Sequence, residues 1–414
     1  MPRVAVLSKQ NVFLSGNPQI TFWKMVYKRH TQFAIVSREI HMALQNKIDN
    51  THVVSFRSGH ELLYKMFLKI TLPRIKDNSN AYYTDSVGHA IIDSITLVIG
   101  NFKVDVHYGE WYEILDELTT PAEKQEGYHH MIGKFGTYNK HVLKNNKGGR
   151  DFYIPLRFFF NEHPSLVFPL NLIKKNRVDI IFNLRNLKDI IIDHKDDCFV
   201  EGNDAKITQK CFADFVLLQR EEMAMMHNID RMSDDSDHSL YYIIPRLQVI
   251  TLHRHTPNST SRDERMTLLL HKLSGNVKEL IWVFHDGNNH NGGNRYFQFS
   301  NERLESMSLS INGEHKYENG DSHFFSHIQP LQHHTRIPTR SIYCYSFSLN
   351  PEEITQPNGT CNFTNVRLAH LDLVFNKVEE KENKKIQSIT MYASSFSIFS
   401  IDKRTGDVNI TDSI

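Results

Sequence analysis

Apolar and polar residues alternate along most of this chain with the two-residue period of half-buried strands. In the first half, His52–Arg57 and Leu62–Leu72 read as strands parted by the turn pair Ser58-Gly59. Ile95–Ile99 and Phe102–His107 flank Gly100-Asn101, which suits a tight hairpin. Phe152–Phe160 reads as an aromatic strand, Val178, Ile180, Phe182 and Leu184 alternate cleanly, and Phe212–Leu218 closes the half. The second half is strands again: Tyr241–Leu252, Val277–Phe284, Leu304–Ile311, Ile342–Leu349, Val366–Phe375 and Ile386–Ser400, with Asn312-Gly313 as a hairpin turn.

One stretch changes period. In Glu110–Leu118, Trp111, Ile114, Leu115 and Leu118 fall at i, i+3, i+4 and i+7, one face of a short helix that Pro121 cuts off. That stripe leaves Glu110, Glu113, Asp116 and Glu117 as a solvated face, although carboxylates so spaced could mimic an acid–base pair. The polar, glycine-bearing residues 119–150 read as a long surface loop. Many short strands with turn signals between them predict all-β sandwiches or jelly rolls rather than a βαβ fold.

An internal echo sharpens this. YIPLRFFFN (153–161) followed by NRVDIIFN (176–183) matches IYCYSFSLN (342–350) followed by NVRLAHLDLVFN (365–376) in character and order. Each pair follows a Gly-Asn or Asn-Gly hairpin, so two copies of one sandwich topology are the simplest reading. Residues 221–239 begin as a possible helix and end in an acidic run, the best linker in the chain. The expected domains are therefore 1–222 and 223–414, and a length of 414 residues fits two cores better than one.

Composition removes several function classes. A formal net charge of +1 gives no global field to attract nucleic acid. Cys198, Cys211, Cys344 and Cys361 include no CxxC, which argues against zinc and suits a reducing compartment, with a Cys198–Cys211 disulfide as a minor alternative. The N-terminus lacks an apolar signal region and no run reaches a membrane span, so a soluble chain made in the cytosol is expected. There is no P-loop, dinucleotide fingerprint, GxSxG or HExxH. His253 with His255, and His333 with His334, lack a third ligand at motif spacing, so hydrogen-bonded structural histidines are expected and no cofactor.

Gly16–Ser37 (GNPQITFWKMVYKRHTQFAIVS) reads as a basic, aromatic-rich arm whose alternation is too ragged for one strand, a short helical turn followed by extended chain over Thr31–Ile40 fitting about as well. This string resembles the N-terminal signature of the major capsid proteins of nucleocytoplasmic large DNA viruses. VDVHYGEWYEILDELT (104–119), YIPLRFFFNEHPSLVFPL (153–170), GNVKELIWVF (275–284), PLQHHTRIPTRSIYCYSFSLNPEE (330–353), QPNGTCNFTNVRL (356–368) and MYASSFSIFSI (391–401) resemble later segments of that family, in order. The linker EEMAMM and the ending KRTGDVNITDSI depart from the family pattern.

The resemblance implies two tandem eight-stranded jelly rolls and a structural, non-enzymatic role. It implies homotrimeric, pseudo-hexagonal capsomers tiling an icosahedral capsid, assembled in the host cytoplasm or viral factory. Partners implied are neighbouring capsomers and minor capsid, penton and cement proteins, with the N-terminal arm towards an internal membrane and no specific nucleic acid. The family-signature residues are Gly16, Asn17, Pro18, Gln19, Lys28, Arg29, His30, Gly109, Glu110, Trp111, His333 and His334. Alternatives are a minor capsid paralogue, a poxvirus-type scaffold, or, in another class, a carbohydrate-binding jelly-roll protein.

Overall fold

The computed structural model describes residues 23, 27, 29–47, 49–57, 59, 61–76, 81–135, 150–174, 176–192, 206–228, 239–253, 264–286, 296–299, 304–375 and 386–411. The first half opens with β1 (Phe33–Ile40), β2 (Ala43–Asn46), β3 (Thr51–Phe56) and β4 (Leu62–Thr71). The hairpin β5 (Ile92–Ile99) and β6 (Phe102–Tyr108) leads into helices α1 (Gly109–Thr119) and α2 (Ala122–Ile132). Strands β7 (Asp151–Pro155), β8 (Val178–Leu184) and β9 (Thr208–Leu218) complete the half, and α3 (Arg220–Asn228) follows.

The second half holds β10 (Ser239–His253), β11 (Glu264–Leu269), β12 (Asn276–Asp286), and the hairpin β13 (Leu304–Ile311) and β14 (Glu314–Gly320). A π turn at Phe324–Ile328 runs into α4 (Gln329–His333), followed by β15 (Ile342–Ser346), β16 (Ala369–Phe375) and β17 (Ile386–Asp402).

These strands make two sandwiches. In the first, the sheet β1-β9-β4-β7 faces β2-β3-β8-β5-β6; in the second, β10-β17-β12-β15 faces β11-β16-β13-β14. The halves correspond strand for strand, β1, β3, β4, β5, β6, β7, β8 and β9 matching β10 to β17 in order. This is the double jelly roll, and it accounts for the sequence echo. Each hairpin turns on two residues: Gly100 takes a φ of 59°, while Asn312 and Gly313 take 52° and 82°. Those left-handed values favour Gly and Asn and match the right-handed twist of the strands.

Alternation places the core. Leu63, Met66, Leu68 and Ile70 of β4 point inward against Ile95, Leu97 and Ile180 of the facing sheet. Trp282 and Phe284 of β12 meet Leu309, Leu371 and Leu373 in the second sandwich. Removing such side chains from water is the main stabilising term, about 25 cal/mol per Å² of apolar surface.

Three expectations are corrected. Residues 119–135 are not loop: α2 spans Ala122–Ile132 and ends where Gly133 adopts a φ of 74° and the Lys134 N–H bonds back to the His129 carbonyl. Glycine here stops a helix rather than marking a loop, and residues 136–149 lie outside the described residues. The aromatic strand ends at Pro155, and Phe159–Glu162 forms a helical turn. Asn161 dictates that break, accepting from the Phe158 N–H and donating to the Tyr64 carbonyl. Ile342–Leu349 likewise shortens to Ile342–Ser346, because the Ser346 hydroxyl turns back onto the Ser348 carbonyl. Cys211, Cys344 and Cys361 are free thiols, and Cys198 lies outside the described residues.

Candidate functional site

Helix α1 joins the two sandwiches. At its start, a Cβ on Gly109 would overlap the carbonyl oxygens of His89 and Ile92, so the YGEW segment fits only with glycine at this place. The apolar stripe read from the sequence then turns towards the second sandwich. Trp111, Ile114 and Leu118 pack on Ile281, Val283, Ile342 and Tyr392, on the outer face of the β10-β17-β12-β15 sheet. The Trp111 and Tyr392 rings stack with centroids 5.3 Å apart. Glu110 accepts a 2.9 Å hydrogen bond from the Tyr392 hydroxyl and lies 3.2 Å from His285 Nε2.

The other side of α1 is not solvated, which overturns the expectation for Glu113, Asp116 and Glu117. All three are fully buried. The Lys134 ammonium sits among them, 2.9 Å from Glu113, 2.6 Å from Asp116 and 2.6 Å from Glu117. The second sandwich supplies the remaining cations. Arg340 bonds Asp85 at 2.9 Å and Glu113 at 3.1 Å, and Arg336 donates to the carbonyls of Glu117 and Asp116. Thr339 caps Glu117 through its N–H and hydroxyl, and His89 reaches Glu113 at 2.8 Å.

Burial alone would raise these carboxyls, yet the cations win: Arg340 and Lys134 hold Glu113 well below its usual range, and His129 and Lys134 depress Asp116. Their oxygens come close enough together to hold a metal ion, but Lys134 already occupies that focus. The arrangement is an inter-sandwich ionic lock.

His333 and His334 follow α4. His333 Nδ1 bonds the Leu349 carbonyl at 3.1 Å. His334 is buried, 3.3 Å from Glu279 and 3.2 Å from Glu352. Burial opposes its charge, but Cys344, Glu279 and Glu352 push its pKa up to about 12. The neighbouring Lys278, whose pKa burial lowers, donates to the Pro351 carbonyl. A raised folded pKa stabilises fully below the unfolded value near 6.5 and is lost as pH rises from there towards 12. The parent protein is therefore expected to lose stability relative to a His334→Gln variant above pH 6.5, by up to about 1.4 kcal/mol per pH unit. Thermal melts in a pH series read this; parallel curves for the two proteins would refute it.

Of the arm residues, Arg29 and His30 are exposed, His30 bonding the Thr31 carbonyl at 2.8 Å. Gly16, Asn17, Pro18, Gln19 and Lys28 lie outside the described residues. The structure thus brings Gly109, Glu110 and Trp111 to the junction, with His334 nearby on the cavity between α1 and the second sandwich. Lys134, Thr339, Arg336 and Arg340 escaped the sequence reading. One signal was available: Gly109–Thr119 carries four acids and no Lys or Arg, so its counter-charges must come from elsewhere.

Comparison with known proteins agrees with this architecture. Residues 21–219 match a family described as major capsid protein N-terminus, and residues 231–406 match large eukaryotic DNA virus major capsid protein. The major capsid protein of Phaeocystis pouchetii virus is 25% identical, covering 95% of each chain. That of Paramecium bursaria Chlorella virus 1 is 25% identical over 91% of this chain and 87% of its own. Among solved structures, PBCV-1 VP54 superposes with a TM-score of 0.76 at 21% identity, covering 94% of this chain and 99% of its own. The Faustovirus major capsid protein gives 0.70 at 10% identity, over 95% and 94%. With both family regions present in order on a double jelly roll, the chain belongs to the major capsid proteins of the nucleocytoplasmic large DNA viruses.

Proposed function

We propose that this capsid protein forms homotrimeric, pseudo-hexagonal capsomers that tile the faces of an icosahedral shell, assembled in the host cytoplasm. The observation that carries this is the pairing of two equivalent sandwiches, fixed to each other through α1 and the ionic lock. Three such two-sandwich blocks give six similar units around a threefold axis. Chain regions 1–222 and 223–414 are taken as the two domains. Neighbouring capsomers, minor capsid, penton and cement proteins are the partners this role requires, with the N-terminal arm on the inner side.

Light scattering on a size-exclusion peak tests the trimer. The 48.3 kDa chain is expected to elute as a species of three times that mass, independent of concentration and resistant to high salt. A folded monomer at every concentration overturns the proposal.

A further inference from the structure

We infer that the helix face formed by Ile328 and Leu331 of one copy packs onto the outer face of the β1-β9-β4-β7 sheet of a second copy. This deepens the trimer reading above and rests on it.

The chain's own repeat matches the two sandwiches position by position. A short bridge joins β4 at Leu62 and Leu63, and its counterpart joins β12 at Asn276 and Val277. Phe212 opposite Phe67 then corresponds to Tyr392 opposite Ile281. Ser37 opposite Asp214 corresponds to Leu247 opposite Ser394, and Ile35 opposite Val216 to Pro245 opposite Phe396. In the second sandwich, Tyr392 and Ile281 are buried under α1. In the first, the same face is open among the described residues: Phe33 is 59% and Ile35 50% exposed, while Phe67 and Phe212 stack on each other half-buried. A groove of about 680 Å³ lies at that end, lined by Ile35, Tyr64 and Val216.

The helical element that corresponds to α1 lies between β14 and β15. Its Ile328 and Leu331 are 44% and 68% exposed, and Leu349, held beside it by His333, is 78% exposed. Ile328 and Leu331 stand three residues apart, as Leu115 and Leu118 do on α1, at a similar remove from the preceding strand. One helix face and one sheet face of this type are already joined within the chain, and a second pair of the same type stands exposed among the described residues. Repeating the same joint places the second sandwich's helix on the first sandwich of another copy.

The contact is head-to-tail, and such contacts make a ring when the rotation closes. The open face suits a joint that forms after folding. Its apolar stripe is bordered by the ion pairs Lys69–Asp151 and Lys210–Glu39, which keep an unassembled chain hydrated.

The test uses the full chain carrying Leu331→Cys with Ser37→Cys. Ser37 corresponds to Leu247, which shares the inter-sandwich cavity with Leu115 and Leu118. Mild oxidation is expected to give a covalent ladder ending at three chains, and each single variant only monomers on a denaturing gel. Separately, Leu331→Asp and Ile35→Asp, both at exposed positions, are expected to leave each chain folded while making the trimer fall apart to monomer on a tenfold dilution that leaves the parent trimeric. Trimers by scattering with no ladder, and unaffected by either Asp variant, would overturn this joint and leave the trimer reading standing. A ladder running past three chains would refute ring closure. A parent chain that stays monomeric would defeat the trimer reading itself.

Discussion

Replacing Lys134 with methionine is expected to abolish the soluble, cooperatively folded chain or to cost about 3–5 kcal/mol in urea unfolding, since removing one partner strands buried charge. Methionine fills most of the volume, so the loss is electrostatic. The Lys134 side chain is only 2% exposed and reaches Glu113, Asp116 and Glu117 at once. Without it, Arg336 and Arg340 are left against Asp85, Glu113, Asp116 and Glu117, with His89 and His129 at the edge. A domain's whole margin is only about 5–15 kcal/mol, so this loss decides between folded and unfolded.

Adding Glu113→Gln and Glu117→Gln to the methionine variant should restore part of the stability, because neutral amides cost less to bury than carboxylates. That rescue separates charge from packing. A methionine variant as stable as a surface substitution, within about 0.5 kcal/mol, would refute the lock. The lock also fixes a pH sign. Carboxyls whose folded pKa is depressed contribute stability that is fully present above the unfolded carboxylate range and is lost progressively as pH falls from that range through the depressed values. The parent should therefore lose stability steadily as pH falls through and below the ordinary carboxylate range, as acid titration of its urea midpoint would show.

The strands were legible because alternation is a local property. Val178–Leu184 and Leu304–Ile311 need only one apolar face, and side chains two apart decide it. The hairpins were legible through two residues each, Gly100-Asn101 and Asn312-Gly313. Helix α1 was legible on one face only. An amphipathic stripe says which side is apolar, and ordinary helices then send the charged side to water. Here the charged side meets Lys134 beyond a helix that glycine obscured, and Arg336 and Arg340 more than two hundred positions away. Long-range charge pairing leaves no period in the chain. His334 was legible as a hydrogen-bonded histidine, but its carboxylate partners were not, for the same reason: Glu279 and Glu352 reach it from different strands and loops.

That asymmetry bears on how the two sandwiches hold together. The joint inside the chain combines an apolar contact with a dense ionic lock, so α1 holds the two sandwiches together from both of its sides. The apolar half of the joint can be tested alone. Trp111→Ala is expected to cost about 3–5 kcal/mol, as for other buried aromatic truncations. Trp111 is 6% exposed and lies on Tyr392, so the loss falls at the junction and not inside either core.

Calorimetry should therefore change in form as well as position. The parent is expected to melt in one transition, and Trp111→Ala in two resolved steps as the sandwiches uncouple. A double-mutant cycle with Tyr392→Ala should return a coupling of about 0.5–1.5 kcal/mol for the stacked pair. If the variant melts in one transition at the parent's temperature, α1 does not join the sandwiches. A single transition at a lower temperature, with coupling near zero, would place the cost inside the first sandwich and leave the tie between the two to the ionic lock and to contacts such as Phe399 on Phe159 and Phe168.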